Sequence, residues 1–408
     1  MKKTLLDYLP IVGEEVINEL KALAQYLQGK VIQHINSTAV GGGVAEILSR
    51  LVPLSNELGV NSRWDVFKGG DAFFQVTKEI HNMLHGKEGT LTDEMKELFL
   101  DETQKNIESM EFSGDIMFVH DPQPVGLVSV RNTKPCKWIW RCHIDLSNPN
   151  PSCWDFIRPF VEKYDASIFT APFFAQKLPI REFLIQPSID PLSDKNKELP
   201  PETIMEVLER FQIDHARPIV TQVSRFDYLK DPLGVIDAYR IVKKRRDCQL
   251  VLAGGSAADD PESSKVLSEV QEKAKGDPDI HILDLPPTAN IEINALQRAS
   301  TVIVQKSIKE GFGLTVTEAL WKGKPVIGGM TGGIPLQIKN KVNGFLVHTI
   351  EGTANAIKFL LANPLLAQKM GKNGQEYVRH NFLLTRHLKD YLILFILVDR
   401  SAHGVVYL

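Results

Sequence analysis

Lys309-Glu310-Gly311-Phe312-Gly313-Leu314-Thr315-Val316-Thr317-Glu318 sets two carboxylates around a pair of glycines, between a strand-like run at 301–305 and a helix-like run at 316–322. Glycine lets a ligand approach the backbone closely, and the start of a helix favours an anion. Carboxylates accept hydrogen bonds from sugar hydroxyls. A backbone cradle for phosphate beside acceptors for hydroxyls suits a nucleotide sugar. Glu318 also has a plain structural reading, because Thr315-x-x-Glu318 matches a capping box. Glu310 reads equally as a solvated loop carboxylate.

Four other groupings carry chemistry. Gly41-Gly42-Gly43 follows a strand and opens a helix. It lacks both the Gly-Lys-Ser/Thr of a P-loop and the spacing of a dinucleotide fingerprint, and a tight turn would also need these glycines. Ser224-Arg225-Phe226-Asp227-Tyr228-Leu229-Lys230 follows the first strand of the second half. Arg forks onto phosphate oxygens and Lys supplies a point charge; elsewhere such a pair would be a solvated surface pair. His120-Asp121 and His143-x-Asp145 each put a histidine just past a strand. One such histidine is usually a packed structural residue, but two on one sheet edge raise the prospect of a site. No spacing points to a metal, and no Gly-x-Ser-x-Gly elbow is present.

The elements that must position these residues alternate between short β-branched runs and longer helical patterns, which predicts βαβ units and parallel sheets. Strands are expected at 31–36, 116–120, 137–142 and 166–170, and again at 219–223, 249–253, 280–283, 301–305, 325–327 and 344–347. Asp231-Pro232 predicts a helix start, with Asp as N-cap and Pro in the first turn. The alternation pauses over 183–201, where four prolines with polar filler suggest an interdomain connection. The expected architecture is therefore α/β, with two Rossmann-like doubly wound domains. The first spans 1–186, a linker 187–215, and the second 216–380. Ligands of open α/β sheets bind beyond the carboxyl ends of the strands, so a cleft between the two domains is the expected site.

Composition narrows the partners. A chain of 408 residues with 43% hydrophobic content has enough apolar material for two cores. Its net charge of −3 gives no electrostatic reason to propose nucleic acid. The basic run Lys243-Lys244-Arg245-Arg246 ends a predicted helix, where cations suit the dipole. Cys136, Cys142, Cys153 and Cys248 are too sparse for a disulfide framework and have no C-x-x-C spacing. Reduced thiols in a cytoplasm are expected. Asp7, Pro10, Glu14 and Glu15 break any signal-peptide core, and the apolar run 391–398 is too short to span a bilayer.

Together these residues resemble the retaining glycosyltransferases of family four, which have the GT-B fold. The resemblance rests on Glu310 and Glu318 at E-x7-E spacing, Arg225 and Lys230 upstream, the Gly41–Gly43 loop, and Gly332-Gly333-Ile334-Pro335. It covers essentially the whole chain. Within the family, His120-Asp121-Pro122-Gln123-Pro124 and the segment 138–164 are similar to the trehalose-forming synthases and to the trehalose phosphorylases of the same fold. The resemblance implies that Arg225 and Lys230 neutralise a departing diphosphate. It gives Glu310 the hydroxyls of the donor glucose and Glu318 the ribose. Gly311, Phe312, Gly313, Leu314 and Thr315 then line the sugar and phosphate, and Gly41, Gly42 and Gly43 approach the diphosphate from the first domain. His143 would contact the donor sugar near the reacting carbon, with His120, Asp121 and Asp145 toward the acceptor.

The implied reaction is reversible transfer of glucose from a nucleoside-diphosphate glucose, such as ADP-glucose, to free glucose, giving α,α-trehalose with retention. No cofactor is demanded; Mg2+ is compatible with the site but no motif implies it. Three alternatives stand beside this reading. A phosphorylase would use inorganic phosphate and glucose 1-phosphate. A transferase with another acceptor is the second; a sugar 6-phosphate would need extra cations, and Arg131, Lys134 and Lys137 are available. The third is a catalytically inactive sugar- or nucleotide-binding module. The segment 381–408 is expected to return to the first domain. Its apolar end fits packing there, a contact between two copies of the chain, or a divergent terminus.

Overall fold

A computed structural model of the protein describes residues 3–39, 43–133, 135–255 and 261–400, the side chains of 261 and 262 excepted. The chain forms two compact units. One holds the described residues up to Pro187 together with those from Leu384 on; the other is Ser188–Leu383.

Each unit is built on a six-stranded sheet whose strand pairs are all parallel. In the first unit the strands are β1 (Val31–Asn36), β2 (Asn61–Val66), β3 (Ile116–His120), β4 (Lys137–Arg141), β5 (Ala166–Phe169) and β6 (Arg181–Leu184), in the order β2-β1-β3-β4-β5-β6. In the second they are β7 (Ile219–Val223), β8 (Gln249–Gly254), β9 (Ile280–Asp284), β10 (Val302–Gln305), β11 (Val326–Gly329) and β12 (Gly344–Val347), in the order β12-β11-β10-β7-β8-β9. Helices cover both faces of a parallel sheet, which is why β3, β7, β8 and β10 are buried at every residue and read as largely apolar runs rather than alternating ones. Strand order reverses between β1 and β3 in one unit and between β7 and β10 in the other. Such a switch point is where the crossovers diverge and leave a crevice beyond the strand ends.

Two edge strands depart from the sequence reading. β2 carries Asn61, Ser62, Arg63 and Asp65, so its polar, half-exposed edge hides the alternation expected of a strand. β6 has alternating half-buried and exposed residues and overlaps the Pro-rich stretch read as a connection.

The expected linker 187–215 is not open chain. Pro201–Arg210 is a helix packed on the helix Asn290–Ala299, with Val207 and Leu208 buried. Asn294 Nδ2 donates to the carbonyls of Asp194 and Lys197 at 2.9 and 2.8 Å, fixing the stretch before that helix. The prolines here mark turns and a helix start rather than a flexible tether.

The apolar segment 391–398 lies inside one helix, Leu384–Asp399, which belongs to the first unit and packs on the helix Glu14–Gln25. Leu388, Tyr391, Leu392, Leu394, Phe395 and Val398 are all buried. A helix covered on most sides loses the polar face that makes amphipathy legible. Residues 401–408 lie outside the described residues. No helix among the described residues is long and apolar enough to cross a membrane.

Candidate active site

In the second unit the site grows from the carboxyl ends of β7 and β10, the strands that flank the switch point. The chain after β7 turns through Asp227, whose carboxylate accepts from Leu229 N at 2.7 Å. Gln222 Nε2 donates to the Lys230 carbonyl at 2.7 Å and holds that backbone. Asp231 then caps the helix Pro232–Lys243, accepting from Gly234 N at 3.0 Å, with its own φ at 53°. The Asp-Pro pair is thus a helix start, as its residue types predict. The loop after β10 is tied to this turn, because Ile308 N donates to the Leu229 carbonyl at 2.7 Å.

These two loops bring Lys230 and Glu310 together. The Lys230 ammonium donates to both carboxylate oxygens of Glu310 at 2.8 Å. Their side chains are only 18% and 9% exposed, so solvent screens the pair weakly. Ser307 Oγ donates to Glu310 Oε2 at 3.1 Å. Lys306, buried at the end of β10, pairs with Asp231. Arg225 is placed differently: its guanidinium reaches Asp227 at 3.3 Å and stays 62% exposed. Lys230 is therefore locked beside Glu310, whereas Arg225 is an exposed cation on the same turn.

The glycine turn is shaped by a second glycine pair. Gly313 has φ 82° and is the N-cap of the helix Leu314–Trp321. Gly333 N donates to the Gly311 carbonyl at 2.7 Å. A side chain at Gly332, itself at φ 52°, would overlap the Glu310 carbonyl, and one at Gly333 would lie 2.8 Å from Phe312 Cα. Gln337 Nε2 donates to the Phe312 carbonyl at 2.5 Å. Gly332-Gly333 therefore packs directly under Glu310–Phe312 and fixes the helix start.

Glu318 is not a capping residue. The helix begins at Leu314, so Thr315 lies inside it and Glu318 is its fifth residue, beyond the N3 position that a capping box needs. Its buried side chain has Lys195 Nζ 4.0 Å away. Lys322 donates to the Glu318 carbonyl at 3.2 Å and to Asn196 Oδ1 at 3.0 Å. Burial pulls the Lys322 ammonium down to about 7, with the Glu318 charge opposing. The basic run at 243–246 is structural at Lys243, which bonds Asp247 and Asp279 at 2.6 Å each.

In the first unit a row of histidines runs from His34 within β1, through His120 at the end of β3, to His143 just past β4. His34 Nδ1 lies 3.3 Å from His120 Nε2, and His120 Nδ1 lies 3.4 Å from His143 Nε2. Asp121, at φ 67°, accepts from His143 N at 2.9 Å. Burial is the main cause that raises the Asp121 carboxyl to about 6. Asp145 instead accepts from Ser147 N at 2.8 Å, a local turn. Gly43 opens the helix Gly43–Glu57, whereas Gly41 and Gly42 lie outside the described residues. Among the described residues no group of three or more His, Cys, Asp or Glu could hold a metal ion.

Sequence reasoning missed His34, Lys306, Ser307, Gln337 and the Lys322–Asn196 bond. Only Lys306 and Ser307 carried a signal, their position just past a central strand. His34 lies within a buried strand and reads as core.

Comparison with known proteins bears on both units. Residues 34–176 match the family described as trehalose synthase, N-terminal domain, and residues 205–377 match glycosyl transferases group 1. A trehalose synthase from Thermococcus litoralis is 48% identical over 96% of this chain and 96% of its own length. A trehalose phosphorylase from Pleurotus pulmonarius is 28% identical over 97% of this chain but only 61% of its own. Among solved structures, an α,α-trehalose-phosphate synthase (UDP-forming) from Burkholderia vietnamiensis superposes with a TM-score of 0.68 at 14% identity, covering 92% of this chain and 99% of that one.

Proposed function

We propose a specific reaction for this chain, which belongs to the trehalose synthase family of GT-B glycosyltransferases. Glucose passes from a nucleoside-diphosphate glucose to the anomeric hydroxyl of free glucose, giving α,α-trehalose with retention. The glucose C1–O bond to the diphosphate breaks. A new C1–O bond to the acceptor forms on the same face, and the acceptor proton goes to the departing phosphate. No cofactor is required in this reading.

The observation that carries the reading is the Lys230–Glu310 pair at the β7/β10 switch point. A lysine held by two carboxylate oxygens is a preset positive charge for a leaving diphosphate. Glu310 accepts from hydroxyls of the donor glucose, and Gly313 and Leu314 offer N–H groups at a helix start. Arg225, exposed on the same turn, folds onto the diphosphate. Glu318 accepts from the ribose. In the first unit, His143 contacts the glucose undergoing transfer and Asp121 serves the acceptor, whereas His120, buried with both ring nitrogens turned to His34 and His143, reaches no substrate directly.

Free glucose is favoured over a sugar 6-phosphate. Lys137 begins β4, whereas His143 follows its end, a separation of about 13 Å or more at the usual rise per residue. Arg131 is bound to Asp165 at 3.0 Å, just before the start of β5. These cations therefore sit at the amino ends of the strands, away from the end that carries His143. Lys134 lies outside the described residues. The higher identity to the synthase, 48% against 28% for the phosphorylase, favours a synthase over a phosphorylase reading.

The test is proton NMR of the products from nucleoside-diphosphate glucose and glucose. A single symmetrical disaccharide with α anomeric protons on both rings is expected. A β-linked product would end the assignment of retention.

A further inference from the structure

The row His34, His120, His143 has a property that none of its rings has alone. Each neutral imidazole carries one N–H and one acceptor nitrogen. His120 uses Nε2 toward His34 and Nδ1 toward His143, at 3.3 and 3.4 Å. It donates one of these bonds and accepts the other. Only two arrangements then satisfy the row. In one, all three rings carry the proton on Nε2; in the other, all three carry it on Nδ1. The choice decides what His143 presents at its remaining nitrogen, Nδ1: a lone pair in the first, an N–H in the second.

The surroundings keep the rings neutral. His34 and His120 are buried at 3% and 1% exposure, and burial holds His34 at about 3 and His120 and His143 well below the usual histidine range. Arg141 on β4 and Arg386 and His387 on the last helix add positive or potentially positive charge nearby, while Asp121 is the acidic neighbour. The same helix roofs the row. Phe395 meets His34 edge-on at 6.1 Å, and Tyr391 and Phe395 pack edge-on against Phe118, the in-register neighbour of His34.

We propose that His34 and His120 are positioning residues, joined in a tautomer-coupled row that fixes which nitrogen of His143 bears the proton. Switching the row would bring one proton in at His143 Nδ1 and release one at His34 Nε2. The consequence for turnover rests on the reading of His143 as a contact to the transferred glucose; the coupling itself does not.

The test is long-range proton–nitrogen NMR of the full chain labelled with 15N-histidine, assigned with single-histidine variants. The three rings are expected to be neutral at pH 7 and to share one tautomer. His34→Phe should change the His143 tautomer or make it a mixture, with kcat down about tenfold and KM within twofold, whereas His34→Gln, which keeps a polar partner, should recover part of both. Different tautomers in the three wild-type rings, or an unchanged His143 signal in His34→Phe, would overturn the proposal. The wild-type spectrum decides the first point even if a variant fails to fold. Coupled tautomers in a protein that makes no trehalose would sink the reaction and leave the row standing.

Discussion

Lys230 and Glu310 are separated by 80 positions in the chain, yet the lysine ammonium lies 2.8 Å from both oxygens of the glutamate. The pair exists because β7 and β10 are neighbours in the sheet and their following loops are bound to each other at Leu229 and Ile308. In the proposed reaction one end of the pair meets the diphosphate and the other the sugar hydroxyls.

Removing one partner should separate folding from catalysis. Breaking a buried pair costs about 3–5 kcal/mol because a charge is left unpaired. Lys230→Met and Glu310→Gln alone should each destabilise the protein, and the double variant should regain most of that loss by denaturant titration. Turnover should fall about 10²–10³-fold in Lys230→Met and should not return in the double variant. Recovery of activity along with stability would remove the pair from the chemistry.

Gly332→Ala tests the packing beneath the glycine turn. The new Cβ would overlap the Glu310 carbonyl at a backbone φ of 52°. Turnover should drop at least tenfold, as expected when a positioned group moves by about 1 Å, while the circular dichroism spectrum stays native. Full activity would mean that the turn does not fix Glu310.

Much of this arrangement was legible in the sequence. Lys230, Glu310 and the paired glycines stood out because each follows a strand, where an α/β sheet gathers its ligands. The helix start at Asp231-Pro232 was readable from residue types alone. The Thr315–Glu318 capping box was a false match, because Gly313 in the left-handed region starts the helix earlier than the four-residue pattern implies. The histidine row was hidden for a different reason. Its members come from positions 34, 120 and 143, and only strand register brings them into line. The C-terminal helix was hidden because burial on most of its sides removes the periodicity that would announce it.

Acid should destabilise the first unit. Burial holds His34, His120, His143 and His387 below their unfolded value. Below about pH 6.5 the unfolded chain takes up protons that the folded chain refuses, so stability is present above that pH and is lost as pH falls toward the folded values. Asp121, raised to about 6, works in the opposite direction between about pH 4 and 6, but it is one group against four. Denaturant titrations at pH 7 and pH 5 should show a clear loss at pH 5, and a smaller one in His34→Phe. Equal pH dependence in the two proteins would show that His34 titrates normally in the folded chain.

Glu318→Gln separates a nucleotide site from a phosphate site. Loss of a charged acceptor for ribose hydroxyls should weaken the donor by about 1.5–3 kcal/mol, seen as a tenfold or greater rise in KM for the nucleotide sugar. An unchanged KM would leave Glu318 a structural carboxylate beside Lys195 and Lys322.

The most direct test of the central claim is to incubate the purified protein with glucose and each of ADP-, UDP- and GDP-glucose, with and without inorganic phosphate, and to measure trehalose and free nucleotide together. The account predicts one nucleotide released per trehalose formed, without phosphate. Trehalose turnover that requires phosphate and yields glucose 1-phosphate, with no nucleotide released, would contradict it.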